Sequence, residues 1–207
     1  MKHKILLAVL ALIFILSFTG CGKDYKEVAI SDQTKIAGMQ KYAKEQLKQY
    51  FGIDVDMGEE KVAKAYENIP KDGVNGQKTY VIIARRYEQA KEGEIYSYQL
   101  IMNEQSEVVG LFYGCNENVE NRVLLVNGDI DEICQEFIKS NKIIDAGYVA
   151  TQTKVEDVYK NDTVQTVIYS YADSNGNHKG DILFSIDLVK KAVVGFEVAK
   201  DDNQTAK

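Results

Sequence analysis

A catalytic or metal-binding centre needs several reactive side chains at a readable spacing, and this sequence offers few. Its two histidines are His3 and His178. His178 lies in Asn175-Gly176-Asn177-His178-Lys179-Gly180, where Asn and Gly are turn residues. No partners stand at a spacing that would complete a triad or a zinc site around it. Asp173, Asn175 and Asn177 match the first, third and fifth positions of a calcium loop. The sixth is His178 instead of Gly, however, and the twelfth is Phe184 instead of Glu. A hairpin loop accounts for the same residues. Asp54 with Asp56, and Glu59 with Glu60, are neighbours along the chain. Glycoside hydrolysis instead needs two carboxyl groups facing each other across a cleft, and the chain has no Trp to stack on a sugar. Phosphate-loop, dinucleotide and nucleophile-elbow patterns are absent. The expectation is a protein with no catalytic residue, no metal and no cofactor.

Two cysteines, Cys115 and Cys134, can be read in two ways. A disulfide between them would close a loop worth about 3 kcal/mol in the chain-entropy model. Alternatively, Cys134 lies on the apolar stripe of a predicted helix and packs there as a small hydrophobe. More conspicuous is tyrosine, with thirteen in 207 residues. Strand alternation would place Tyr96, Tyr98, Leu100 and Met102 on one face of a strand, with Arg86 on the strand before it. Tyrosine and arginine are enriched where proteins bind proteins, so Tyr96, Tyr98 and Arg86 are the candidate binding residues. Tyrosine also simply suits strands and packs in cores.

The elements that position these residues follow an N-terminal leader. Met1-Lys2-His3-Lys4 is basic, and Ile5 to Phe18 is free of charge and apolar but for Ser17. That run is shorter than the approximately 20 residues needed to cross a bilayer, and it has the form of a signal peptide. Ser17-Phe18-Thr19-Gly20-Cys21 resembles the lipobox of bacterial lipoproteins, with Phe18 where the family usually has Leu. The resemblance implies cleavage before Cys21 and lipidation of its thiol, with palmitate-type chains holding the mature protein to the extracytoplasmic face of the cell membrane. Two acyl chains make such an attachment lasting. The net charge of the chain is −6, and losing Lys2 and Lys4 makes it more acidic still. An acidic tethered domain is repelled by nucleic acid, which is excluded as a partner.

Residues 1–20 are therefore expected as signal peptide, 21–30 as a lipidated tether, 31–115 as a first α+β module and 116–207 as a second. The first begins with a helix on Ile36, Met39, Ala43, Leu47 and Tyr50, capped by Asp32 or Thr34 and ended by Gly52. Four strands should follow, at about 61–68, 79–88, 94–103 and 108–114. The second repeats that order: a helix on Ile130, Ile133, Cys134, Phe137 and Ile138 capped by Asp129, then strands near 148–159, 163–172, 181–188 and 192–199. Val108-Val109-Gly110-Leu111 parallels Val193-Val194-Gly195-Phe196, and Gly93-Glu94-Ile95-Tyr96 parallels Gly180-Asp181-Ile182-Leu183. The fold expected is thus α+β, two tandem modules, each one helix packed on a four-stranded antiparallel sheet. Val123-Leu124-Leu125-Val126 between them reads as a short strand or as the seam where they meet.

The order resembles PepSY-type extracytoplasmic modules, with Tyr96, Tyr98 and Val109-Gly110 in the positions of their closing hairpin. It also resembles β-lactamase-inhibitor-protein repeats. These resemblances imply topology only, since no functional motif of either family is matched here. The function expected is a lipid-anchored binding or regulatory protein without catalytic activity, presenting a sheet face to a protein or cell-wall partner. The alternatives are a small-molecule or lipid-binding lipoprotein, which needs an apolar pocket between helix and sheet, and less readily a cell-wall or peptide hydrolase.

Overall fold

A computed structural model describes residues 24–57, 60–74, 76–86, 88–158 and 162–200. The leader, the lipobox and Cys21 lie outside the described residues. The elements in chain order are β1 (Tyr25–Ala29), α1 (Gln33–Phe51), β2 (Glu60–Pro70), β3 (Thr79–Arg86), β4 (Ile95–Asn103) and β5 (Val108–Cys115). After a single 3-10 turn at Val119–Asn121 come α2 (Asn127–Asn141), β6 (Val149–Val155), β7 (Val164–Ala172), β8 (His178–Asp187) and β9 (Ala192–Lys200).

The expectation of two tandem modules with separate sheets is overturned. All nine strands form one antiparallel sheet, in the order β1-β2-β3-β4-β5-β9-β8-β7-β6. The join is β5 against β9, with Gly110 opposite Glu197, Leu111 opposite Phe196 and Phe112 opposite Gly195. Two four-stranded sheets would each leave a last strand with a row of unpaired N–H and C=O groups. Here those two edges satisfy each other. The glycines that looked like hairpin residues are what the join requires. A Cβ on Gly195 would sit 2.1 Å from the Phe112 ring across the join, and one on Gly110 would lie 3.4 Å from Glu197 across it and 3.0 Å from Ile101 of β4.

Both helices feed one core against one face of this sheet. Asp32 Oδ1 accepts from the backbone N–H of Thr34 and Lys35 at 2.9 and 3.1 Å, and Gly52 closes α1 in the left-handed region. Ile36, Met39, Ala43 and Leu47 form its buried stripe. The second helix starts at Asn127 with Val126 as its uncapped N-cap, so Asp129 lies inside the first turn and not before it. There a carboxylate still favours the positive end of the helix dipole. Phe51 of α1 and Phe137 of α2 stack at 5.5 Å, and Phe196 lies 5.7 Å from Phe137 and 6.3 Å from Phe51. An aromatic cluster over the β5–β9 join therefore ties the halves together. A half of about 85 residues buries little apolar surface alone, which is the physical reason for the merger.

Two further expectations change. The segment read as a tether supplies β1, an outer strand running from Tyr25 opposite Pro70 to Ala29 opposite Tyr66. The run Val123–Val126 is not a strand, and of its residues Leu125 packs against the shared core. Val123 N–H donates to Leu188 O at 3.0 Å, and Leu124 and Val126 stand 67% and 66% exposed. On the face away from the helices, Tyr66, Val81, Ile83 and Ile101 form a second, smaller cluster, with Val109 and Phe112 against it.

Candidate functional site

The three candidate binding residues do not come together. A β-bulge between Ile95 and Ser97 shifts the β4–β5 register, so Tyr96 and Tyr98 do not share a face. Tyr98 is 1% exposed and belongs to the helix-side core with Leu100 and Met102. Tyr96 lies across Gly114 on the opposite face, where a Cβ would fall 2.5 Å from its ring. Burial, and then the neighbouring Cys115, push its hydroxyl pKa up. Arg86 is held internally: Nε donates to Met57 O at 3.0 Å, and the guanidinium pairs with Glu94.

The cysteines are free thiols. Cys115 accepts from Lys190 Nζ at 2.8 Å and sits 3.7 Å from Gly93 O. Cys134 is fully buried in α2, and burial pushes its thiol up to about 12. In the His178 region the carboxylate of Asp181 lies between the other two groups, accepting from Ser170 Oγ at 2.5 Å and lying 3.2 Å from His178 Nε2. A hydrolytic triad needs the imidazole in the middle, taking the serine proton. Asp173 spends its oxygens on the hairpin turn: Oδ1 accepts from the N–H of Asn175 and Asn177, and Oδ2 from the Asn177 amide. Asp54 pairs with Lys48 at 2.8 Å. Among the described residues, no three His, Cys, Asp or Glu side chains gather as a metal site.

A groove of about 450 Å3 along α1 has the dimensions of a ligand site. Tyr80 of β3 and Met102 of β4 are cross-strand partners beneath the helix, and Met39 and Tyr42 descend from it to form the other wall. The Tyr42 hydroxyl donates to Ser106 O at 3.1 Å, pinning the helix to the β4–β5 turn and closing one end. Gly38 opens the top: a Cβ placed there meets no atom within 4 Å. Two methionines and two tyrosines give a polarizable lining that adapts to ligand shape.

The other end is cationic. Lys35 Nζ lies 4.2 Å from the Tyr80 ring centroid and Lys78 Nζ 4.9 Å from it. Both ammonium groups bind Glu67, at 3.0 and 2.7 Å. Hydrogen bonds from Lys78 first and Lys35 second hold the Glu67 carboxyl below its ordinary range. Two ammonium groups against one carboxylate leave a positive excess at this end of an acidic protein. The groove can hold an elongated apolar body against Met39, Tyr80 and Met102, with an acidic group towards Lys35. Sequence reasoning passed over it because its lining reads as ordinary core. The available signal was Gly38, a glycine in the middle of an otherwise regular helix.

No family model matches the chain, and no curated protein matches it. Among solved structures it is similar to the Bacillus megaterium YpeB C-terminal domain, at 9% identity and a TM-score of 0.48. The likeness covers 82% of this chain and 63% of that one, so the chain spans less than two thirds of its neighbour's length. Likeness at this level supports no assignment of function.

Proposed function

We propose that this is a lipid-anchored, extracytoplasmic binding protein without catalytic activity of its own. Cys21 carries the anchor, and the groove along α1 seats the ligand. The observation that carries this reading is the groove itself, an open slot of about 450 Å3 with a Met- and Tyr-rich wall. Pockets of this size and lining are where small ligands bind. Lys35 in the lining, with Lys78 beside it over the Tyr80 ring, favours an amphiphile whose acidic end lies away from the Glu104 carboxylate, and the apolar walls favour its tail.

Decanoate is the probe, titrated into the full chain and into Gly38→Leu. Gly38 lines the groove, and a Cβ there meets no atom within 4 Å, so the larger side chain is added without a clash at its base. Saturable binding to the wild type, lost in a folded Gly38→Leu, is the expected result. Equal binding to both proteins overturns the groove as the site. No binding to either favours the protein or wall-associated partner, which native cross-linking in membranes would then identify.

A further inference from the structure

On the opposite face of the sheet, four strands bring a different chemistry into one row. Lys61 of β2 stands opposite Arg85 of β3, Arg85 opposite Ser97 of β4, and Ser97 opposite Gly114 of β5. Directly opposed residues have Cβ atoms about 5 Å apart, and like charges in such a pair repel. In this neighbourhood Arg86 is neutralised by Glu94, and Lys64 by Glu27. Lys61 and Arg85 make no ion pair among the described residues. Two like charges facing each other with no carboxylate partner among the described residues repel, and an anion seated between them relieves that repulsion.

Two buried donors stand beside them without acceptors. Ser97 is 1% exposed, and its Oγ has no hydrogen-bond partner; Arg85 Nε is buried and equally unsatisfied. Leaving a buried donor unpaired costs about 1–3 kcal/mol, and two in adjacent register positions call for one acceptor that serves both. A cavity of about 390 Å3 opens beside Lys61 and Arg85, lined by these two with Ala63 and Arg86; Ser97 stands next in register to Arg85, behind this lining. The cavity is large enough for a phosphate group with a small substituent.

The geometry points to an oxyanion site formed by Lys61, Arg85 and Ser97, with a phosphate group as its ligand. The Nε edge of a guanidinium offers two parallel N–H donors that match two phosphate oxygens. The ammonium of Lys61 supplies a point charge, and the Ser97 hydroxyl donates to a further oxygen. The site lies on the face away from the α1 groove and does not depend on it. A free phosphate and a phosphate ester carried on a larger molecule share this chemistry.

The test is calorimetric titration of the full chain with inorganic phosphate and with glycerol 3-phosphate at low salt. Saturable binding is expected, weakening as salt rises. Tighter binding of the ester than of free phosphate marks the esterified source, and the reverse marks the free ion. Ser97→Ala keeps every charge and should weaken binding about tenfold, the loss of one charge-assisted hydrogen bond. Arg85→Gln should abolish it, while Arg85→Lys should restore only part, because the charge returns without the fork. Circular dichroism establishes that each variant is folded, and decanoate binding should survive in all of them. Phosphate binding that is indifferent to Ser97→Ala and Arg85→Gln, or absent from the wild type, overturns the proposal.

Discussion

Gly38→Ala isolates the one position where the helix gives up stability to keep the groove open. Gly38 sits inside α1, six residues from the Asp32 cap, and is exposed. Its φ is not among the positive values of the chain, so alanine adopts the same backbone without strain. An added Cβ meets nothing within 4 Å, so no packing term is gained or lost. What remains is helix propensity, about 0.8–1.0 kcal/mol in favour of alanine. For a chain of this size that corresponds to a rise of about 2–4 °C in Tm. Urea denaturation followed by circular dichroism should show a higher midpoint with an unchanged slope. A fall in stability would mean that Gly38 touches something, and that the groove is not open where the structure places it. A methyl group narrows the groove only slightly, so decanoate should still bind Gly38→Ala while Gly38→Leu excludes it.

Other consequences of the fold are as direct. Phe196 is 1% exposed and meets aromatic rings of both helices; Phe196→Ala should cost about 3–5 kcal/mol, with near-ultraviolet and far-ultraviolet signals lost in one coincident transition. Two separated transitions would contradict the shared core. Gly195→Ala drives a methyl into the Phe112 ring and should destabilise by about 1–3 kcal/mol. Adding Phe112→Ala should recover part of that loss; purely additive losses would contradict the contact. Glu67 has a lowered pKa in the folded chain, so its pairing with Lys78 and Lys35 contributes fully above the ordinary carboxylate pKa. That contribution is lost as pH falls below it. Glu67→Gln should therefore flatten the stability profile on the acid side, and an unchanged profile would show that the pairing carries no weight. Cys134 should resist thiol reagents until the protein unfolds; rapid labelling of the native protein would contradict its burial.

Local order was readable from the sequence where one periodicity governs one element. The stripe Ile36, Met39, Ala43 and Leu47, the Asp32 cap and the Gly52 stop are consequences of a 3.6-residue repeat and of backbone geometry within one helix. The Val-Val-Gly runs at Gly110 and Gly195 were also visible as a pair, but their meaning was not. Gly195 accommodates the Phe112 ring from the other half of the chain, while Gly110 lies against Ile101 of neighbouring β4 and Glu197 of β9; nothing local distinguishes either from a hairpin residue. The same limit hid β1, whose Tyr25, Lys26, Glu27 and Val28 show no strand alternation and become a strand only when β2 offers its edge. Tyr96 and Tyr98 illustrate the finer problem: strict alternation puts them on one face, and one bulged residue separates them. The groove was hidden for a different reason. It is defined by a side chain that Gly38 lacks, and its methionines and tyrosines carry no motif.

Methionine-methyl NMR tests the central claim most directly, because the chain has four methionines and they report from different places. Met39 and Met102 line the groove, while Met57 is buried elsewhere in the core, 2% exposed. Titrating decanoate into the full chain should move the Met39 and Met102 resonances together along one saturable curve and leave Met57 in place. Shifts confined to Met57, or no saturable shift at Met39 and Met102, would contradict a ligand site along α1.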